Sequence, residues 1–206
     1  MPFAQKIAGI ICLALVGMAN PIHSTPPSSK RAQLSGGYSN ILVQPTMYQV
    51  FPLEESKSGP AVSQLEVQRT GQDSMIENIA VFKGIPKEAK LCTLGWIQAV
   101  KEERTEFTVE GNGLLAAQQL PELPEGDLSW KNIKPIADKA VEQGQPLLHP
   151  DTTFWPDVHE AWSHIAGPVD CHETIYLKIQ VDYRDGEGYV LLGQDAINGL
   201  TLEFNY

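Results

Sequence analysis

Four histidines fall within one short stretch of this chain. His149, His159, His164 and His172 occupy 24 positions, with aspartate and glutamate residues interspersed among them. Imidazole nitrogens and carboxylate oxygens are common zinc ligands, so the stretch is a candidate metal site. Histidines that lie solvated in a loop would give the same composition, and we favour that alternative.

The segment HEAWSH, residues 159–164, comes nearest to a catalytic motif. A zincin places its two histidines four residues apart, so that both face one side of a helix, beside a glutamate that acts as the general base. Here the spacing is five residues, which separates the two side chains by about 140° on a helix. The motif therefore fails, and the sequence assigns no catalytic residue and no cofactor. A carbohydrate-active or metal-dependent hydrolase that uses residues 149–173 remains the enzymatic alternative.

Aromatic side chains are also concentrated in this part of the chain. Trp130, Phe154, Trp155 and Trp162 lie in loop-rich sequence, where exposed planar rings could stack on sugars. Trp130, Trp155 and Trp162 are therefore candidate binding residues. Burial against a sheet is the favoured alternative, because aromatic side chains are large hydrophobes. Trp96 stands in an apolar strand next to a cysteine and is expected to be core.

The elements that must position these side chains are predicted to be mainly β-strands. Apolar and polar residues alternate over 175–183 and 200–206, as in antiparallel strands with one buried face. Helical spacing occurs only over 133–143, closed by Gly144, and residues 146–168 are predicted to be a long loop or irregular insert. This pattern predicts an all-β fold, an antiparallel β-sandwich of jelly-roll type with at most one short helix. Further strands are predicted at 41–44, 47–51, 65–68, 79–82, around Cys92 and Trp96, at 107–109 and at 189–192.

The N-terminus has the features of a secretory signal peptide. Lys6 precedes an apolar run from Ile7 to Met18, too short to span a bilayer, and Ala19 supplies the small residue before the cleavage point. Residues 1–19 are therefore predicted to be removed. Residues 20–40, rich in proline, serine and glycine, are predicted to form a flexible leader, and 41–206 a single domain. We expect a secreted protein, extracellular or in a cell wall.

Removal of the signal peptide leaves two cysteines, Cys92 and Cys171. An even pair in an oxidising compartment is most simply one disulfide. Closure of the 79-residue loop between Cys92 and Cys171 would stabilise the fold by about 4.5 kcal/mol in the chain-entropy model.

Charge limits the classes of partner. The chain has a formal net charge of −10, and loss of Lys6 makes it more negative. An acidic protein repels nucleic acid and anionic lipid surfaces, so neither is an expected partner. We expect a monomer whose partner is a cell-wall polysaccharide or an extracellular protein.

Several short motifs lie between Gln44 and Tyr206. They are Phe82–Pro86 leading through Lys90 to Cys92-Thr93-Leu94, Phe107 with Gly111-Asn112-Gly113, Trp130-Lys131-Asn132 before Pro135, Cys171, and Gln194-Asp195 before Gly199-Leu200. Together they resemble the motifs of the But-two C-terminal domain, found on secreted fungal proteins.

The resemblance implies a β-sandwich on an exported fungal protein, with paired cysteines and without catalytic residues. The region 142–168, with its histidines and tryptophans, departs from the family pattern. We therefore expect a non-enzymatic binding or structural role, in which carbohydrate binding is one possibility. An effector that binds a host protein is a further alternative.

Overall fold

The computed structural model describes residues 40–206 of the chain. About half of these residues belong to antiparallel strands, and the described part contains one α-helix, α1 (Trp130–Glu142). The predicted signal peptide and leader lie outside the described residues, except that Asn40 already belongs to the first strand. The strands are β1 (Asn40–Val43), β2 (Thr46–Val50), β3 (Ser58–Val62), β4 (Gln64–Thr70), β5 (Asp73–Lys83), β6 (Lys90–Gln98), β7 (Phe107–Gly111), β8 (Leu115–Leu120), β9 (Leu147–Leu148), β10 (Trp162–Val169), β11 (Thr174–Val181), β12 (Gly188–Gly193) and β13 (Gly199–Asn205).

The strands form two sheets. The small sheet has the order β1-β13-β6-β10, and the large sheet has the order β7-β12-β4-β5-β11-β8-β9, with β2 paired to β5 and β3 paired to β2. The inward side chains of both sheets form one continuous apolar core. The predicted all-β sandwich is therefore confirmed. Core members from the small sheet include Leu94, Leu200 and Leu202, and those from the large sheet include Phe82, Ile175, Leu177 and Ile179.

The α-helix covers the outer face of the large sheet. Ile133 and Ala137 pack on Ile79, Val81 and other apolar side chains, which form a second, smaller core. The central strand β5 is consequently buried on both faces over its C-terminal half. The helical prediction is confirmed in this place, although the helix begins at Trp130, three residues before the predicted periodic segment.

The disulfide joins the two sheets. Cys92 lies on the central strand β6 of the small sheet, and Cys171 lies just before β11 of the large sheet. The two residues are bonded, with Cα atoms 5.3 Å apart. The backbone N–H of Cys92 also donates a hydrogen bond to the Cys171 Sγ atom at 3.0 Å. The predicted disulfide is confirmed, and it fixes the small sheet to a central strand of the large one.

The prediction of a long loop or irregular insert at 146–168 is wrong at both ends, because the short strand β9 (Leu147–Leu148) pairs with β8 and the end of the segment belongs to β10. Strand β10 begins at Trp162 and pairs with β6, with a register shift between Ile165 and Gly167. Because this bulge interrupts the strand and its exposed face carries apolar residues, the sequence shows no alternation. Strands β3 and β8 were not predicted.

A buried ion pair lies on the outer face of the large sheet beneath the start of α1. Lys178 Nζ is 2.8 Å from Glu77 Oε2, and both side chains are almost fully buried. Lys178 Nζ also donates a hydrogen bond to Gln180 Oε1 at 2.9 Å and lies 5.2 Å from the centroid of the Trp130 ring. These contacts compensate the cost of burying the ammonium group.

The substitution Lys178→Met tests this pair. It leaves the Glu77 carboxylate buried without its cation, so we expect the free energy of unfolding to fall by about 3–5 kcal/mol. The double variant Glu77→Gln/Lys178→Met should recover part of that loss, because no charge remains buried. Urea unfolding measures both, with Lys134→Met at an exposed ion pair as the control that changes little. Equal losses in the single and double variants would contradict the pair's role.

Removal of the disulfide by Cys92→Ala/Cys171→Ala gives a second test. We expect the free energy of unfolding to fall by about 4.5 kcal/mol, since the unfolded chain regains the entropy of a 79-residue loop. Urea unfolding of the variant and of the wild type, with and without reductant, measures this loss. A wild type that reductant does not destabilise under denaturing conditions would contradict it.

Candidate functional site

An aromatic cluster lies between the small sheet, strand β7 and the insert, which is the segment 149–161 between β9 and β10. It consists of Trp96 on β6, Phe107 on β7, Trp155 in a 3₁₀ turn, and Trp162 and His164 on β10. The ring centroids of Trp96, Trp155 and His164 are 4.6 to 4.9 Å apart. Phe107 stacks on Trp155 at 5.9 Å, and Trp162 lies 6.4 Å from His164. The insert thus packs onto the sandwich through stacked rings.

Strand pairing sets the position of His164. His164 is directly opposite Trp96 in the antiparallel pair of β10 and β6, so both side chains project from the same face. The neighbouring residue Gly95 permits the close approach of the two strands. A Cβ atom at Gly95 would lie 2.5 Å from the backbone oxygen of His164, so any larger residue would push β10 away.

Arg104 fixes the insert against the end of β6. Its guanidinium group donates hydrogen bonds to the backbone oxygens of Ala99 (2.9 Å), Trp155 (3.1 Å), Val158 and Glu160 (3.3 Å). It also lies 5.1 Å from the centroid of the Phe107 ring. Desolvation lowers the pKa of Arg104 below its ordinary value, but an arginine remains charged at neutral pH. A single cation thus holds the backbone around the cluster in place.

The structure separates the three tryptophans that the sequence predicts as binding residues. Trp155 is only 3% exposed and belongs to the core, so it has no ring face for a ligand. Trp130 packs at the start of α1 on the opposite side of the molecule, against the outer face of the large sheet. Trp162 is 58% exposed, and Phe154, which directly precedes Trp155, is 71% exposed. Only Trp162 and Phe154 present rings to solvent in this region.

The four predicted metal-binding histidines do not converge. His164 is in the aromatic cluster, His172 lines a surface cavity of about 240 Å³ beside Cys171, and His159 is exposed. Within residues 40–206, no group of three histidine, cysteine, aspartate or glutamate side chains is arranged to hold a metal ion. The structure of this part of the chain offers the metal hypothesis no support.

His149 takes part in a different arrangement. Its Nδ1 atom is 2.8 Å from Asp182 Oδ2 and 2.8 Å from Arg184 Nη2. Asp182 is completely buried, and hydrogen bonds from Arg184 hold the pKa of its carboxyl group below the ordinary value. A buried aspartate that orients a histidine can assist a nucleophile. However, no hydroxyl or thiol of the described residues is hydrogen-bonded to His149. The contacts among His149, Asp182 and Arg184 connect the end of β11 to the segment that follows β9.

Unpartnered polar atoms gather in the aromatic cluster. Apart from Glu77 Oε2, which is paired with Lys178, seven buried side-chain atoms of the described residues have no hydrogen-bond partner, and four of them belong here: Trp96 Nε1, Gln98 Oε1, Trp155 Nε1 and His164 Nε2. Gln98 follows Trp96 on the same face of β6, and its Nε2 atom donates to the backbone oxygen of Glu160. An unsatisfied buried polar group destabilises the fold by about 1–3 kcal/mol, so four such groups in one place are unfavourable for a core with only a structural role.

Comparison with known families and curated proteins adds no functional information. No family model and no curated sequence matches the chain. The resemblance to the But-two C-terminal domain therefore stays a prediction. No helix among residues 40–206 is long and apolar enough to cross a membrane.

Sequence reasoning missed Gln98, Arg104 and Phe107 as parts of this site. Arg104 follows a run of charged residues and gives no sign of its four backbone contacts. Gln98 closes an apolar strand, and its unpartnered oxygen becomes apparent only when β10 and the insert are in place. A polar residue at an inward position of β6 was the one signal that the sequence contained.

The pH dependence of stability tests the burial of His164. Desolvation lowers the pKa of His164 below its usual value, so in acid the unfolded chain binds a proton that the folded chain does not. The free energy of unfolding therefore has its full value above pH about 6.5 and decreases as the pH falls through and below that value. In His164→Phe the part of this decrease that comes from His164 should disappear.

Urea unfolding between pH 7.5 and pH 5 measures the effect. His172→Phe, which removes an exposed histidine, is the control and should keep the wild-type dependence. An identical decrease in stability for His164→Phe and the wild type would contradict the burial of His164.

Proposed function

We propose that this protein is an exported, non-enzymatic binding module that recognises a cell-wall polysaccharide through Trp162 and Phe154. Export is supported by the signal-like N-terminus and by the disulfide between Cys92 and Cys171. The resemblance to the But-two C-terminal domain supports a fungal cell wall as the setting. The absence of any assigned catalytic group in the sequence agrees with a binding role.

The observation that carries the proposal is the exposure of Trp162 on a rigid support. Its ring is 58% exposed although it begins a strand that is hydrogen-bonded to the centre of the small sheet. His164 and the buried rings behind it limit how far β10 can shift. A large ring held in this way loses little freedom when it binds, and its face suits the C–H surface of a pyranose. Phe154 offers a second ring attached to the same cluster.

A protein partner is the second candidate. Exposed apolar rings such as those of Trp162 and Phe154 are also typical of protein interfaces. An extracellular effector that binds a host protein would use the same surface. Retention on polysaccharide separates the two candidates, because a protein interface gives no reason for binding an insoluble glucan or chitin.

The test is retention of the purified protein on insoluble chitin, β-1,3-glucan and cellulose. We expect retention on one of these polymers, with a loss of at least about tenfold in affinity in Trp162→Ala and a smaller loss in Phe154→Ala, since each substitution removes a stacking ring. Tyr206→Ala is the matched control. This residue is also an exposed aromatic, but it lies beyond the opposite end of the same sheet.

Thermal unfolding of each variant ensures that losses of retention do not come from unfolding. Retention that is unchanged in Trp162→Ala would show that the binding site lies outside the aromatic cluster. Failure of the wild type to bind any of the three polymers would contradict the polysaccharide proposal and favour the protein partner.

A further inference from the structure

The aromatic cluster changes from exposed to buried over a short distance. Trp162 is mostly exposed, His164 is half-buried, and Trp96 and Trp155 are almost completely buried. Trp162 is the cluster member with the greatest exposure, and its ring lies beside that of His164. A ligand that stacks on Trp162 would therefore meet His164 next.

The unpartnered atoms of the cluster have mixed hydrogen-bonding character. The indole N–H groups of Trp96 and Trp155 can only donate, whereas Gln98 Oε1 can only accept. Neutral His164 can do either at Nε2, depending on its tautomer. A hydroxyl group donates one hydrogen bond and accepts two, so one hydroxyl can donate to Gln98 Oε1 and accept from both indole N–H groups, which leaves His164 Nε2 for a neighbouring hydroxyl of the same sugar. A carboxylate could not donate to Gln98, and an ammonium group could not accept from the indoles.

We propose that His164, Gln98 and the indole N–H groups of Trp96 and Trp155 form the polar part of a sugar subsite, which receives neighbouring hydroxyl groups of the ring stacked on Trp162. This inference rests on the proposed function and specifies its ligand as a neutral polyhydroxylated one. It makes His164 and Gln98 specificity-determining residues. The hydroxyl groups approach beside His164, which is half-buried and lies next to the ring of Trp162.

The charge near the subsite does not favour an anionic sugar. Arg104 is the cation next to the cluster, and its guanidinium nitrogens already donate to four backbone oxygens. The chain as a whole is strongly acidic, which repels uronic acids at long range. A neutral glucan or chitin fragment fits both observations better than a pectin fragment.

The indole N–H signals in nitrogen-15 NMR spectra provide the test. The chain has four tryptophans, and single Trp→Phe variants assign their signals in the purified protein with its disulfide intact. The probes are cellohexaose, laminarihexaose and chitohexaose, with an oligogalacturonate of similar length as the anionic comparison. We expect one neutral probe to shift the signals of Trp162, Trp96 and Trp155 and to leave Trp130, on the far face, unchanged.

The variant His164→Phe keeps a ring in the stack but removes Nε2. We expect its affinity for the bound probe to fall about tenfold, as for the loss of one or two hydrogen bonds, while Trp162 still shifts at saturation. Gln98→Leu gives a second variant should His164→Phe fold poorly. The signal shifts measured on the wild type do not depend on either variant. His172→Phe is the matched control and should bind like the wild type.

The outcomes separate this inference from the proposed function. If no neutral probe shifts Trp162, the proposed function fails and the subsite fails with it. If Trp162 shifts while Trp96 and Trp155 do not, and His164→Phe binds normally, the stacking role stands and the polar subsite is overturned. Tighter binding of the oligogalacturonate than of every neutral probe would also overturn it.

Discussion

The architecture depends on the burial of two strands on both of their faces. Strands β5 and β11 lie side by side in the large sheet, with one face against the small sheet and the other against α1. Without the helix, Ile79 and Val81 would leave an apolar surface in water. The helix therefore completes the sandwich, and the compensated charge of Lys178 can lie on the outer face only because the Glu77 carboxylate is beside it.

The same arrangement determines where a ligand can bind. The helix occupies the central outer face of the large sheet, whereas the candidate site lies at the edge of the small sheet, where β10 ends the strand order. There the insert folds back, and Arg104 replaces regular strand pairing with bonds to isolated carbonyl groups. Backbone groups outside the sheets need such partners. Rigidity near Trp162 is thus obtained from one side chain and a stack of rings.

Much of the framework could be predicted from the sequence, because it depends on patterns local to each strand. Strand β11 alternates clearly up to Val181, and the two cysteines left only one pairing. Strand β8 escaped prediction because all of its residues are buried, which removes the alternation, and its alanines and glutamines have no strand preference.

The candidate site was less accessible to sequence reasoning. Trp155 and Trp162 stand in similar sequence surroundings, yet one is core and the other exposed. What distinguishes them is a tertiary contact, namely the docking of the 3₁₀ turn Trp155–Asp157 against β7 and the end of β6. The register of β10 against β6, which places His164 on Trp96, also depends on a bulge that no local pattern revealed.

That bulge has a consequence for the behaviour of the protein at high concentration. A regular edge strand with apolar side chains is a template on which another chain can add a strand and start aggregation. In β10 the ladder is broken between Ile165 and Gly167, and Pro168 contributes no N–H group. The strand can therefore carry an exposed tryptophan and isoleucine at an open edge without offering a continuous hydrogen-bonding surface for fibril growth.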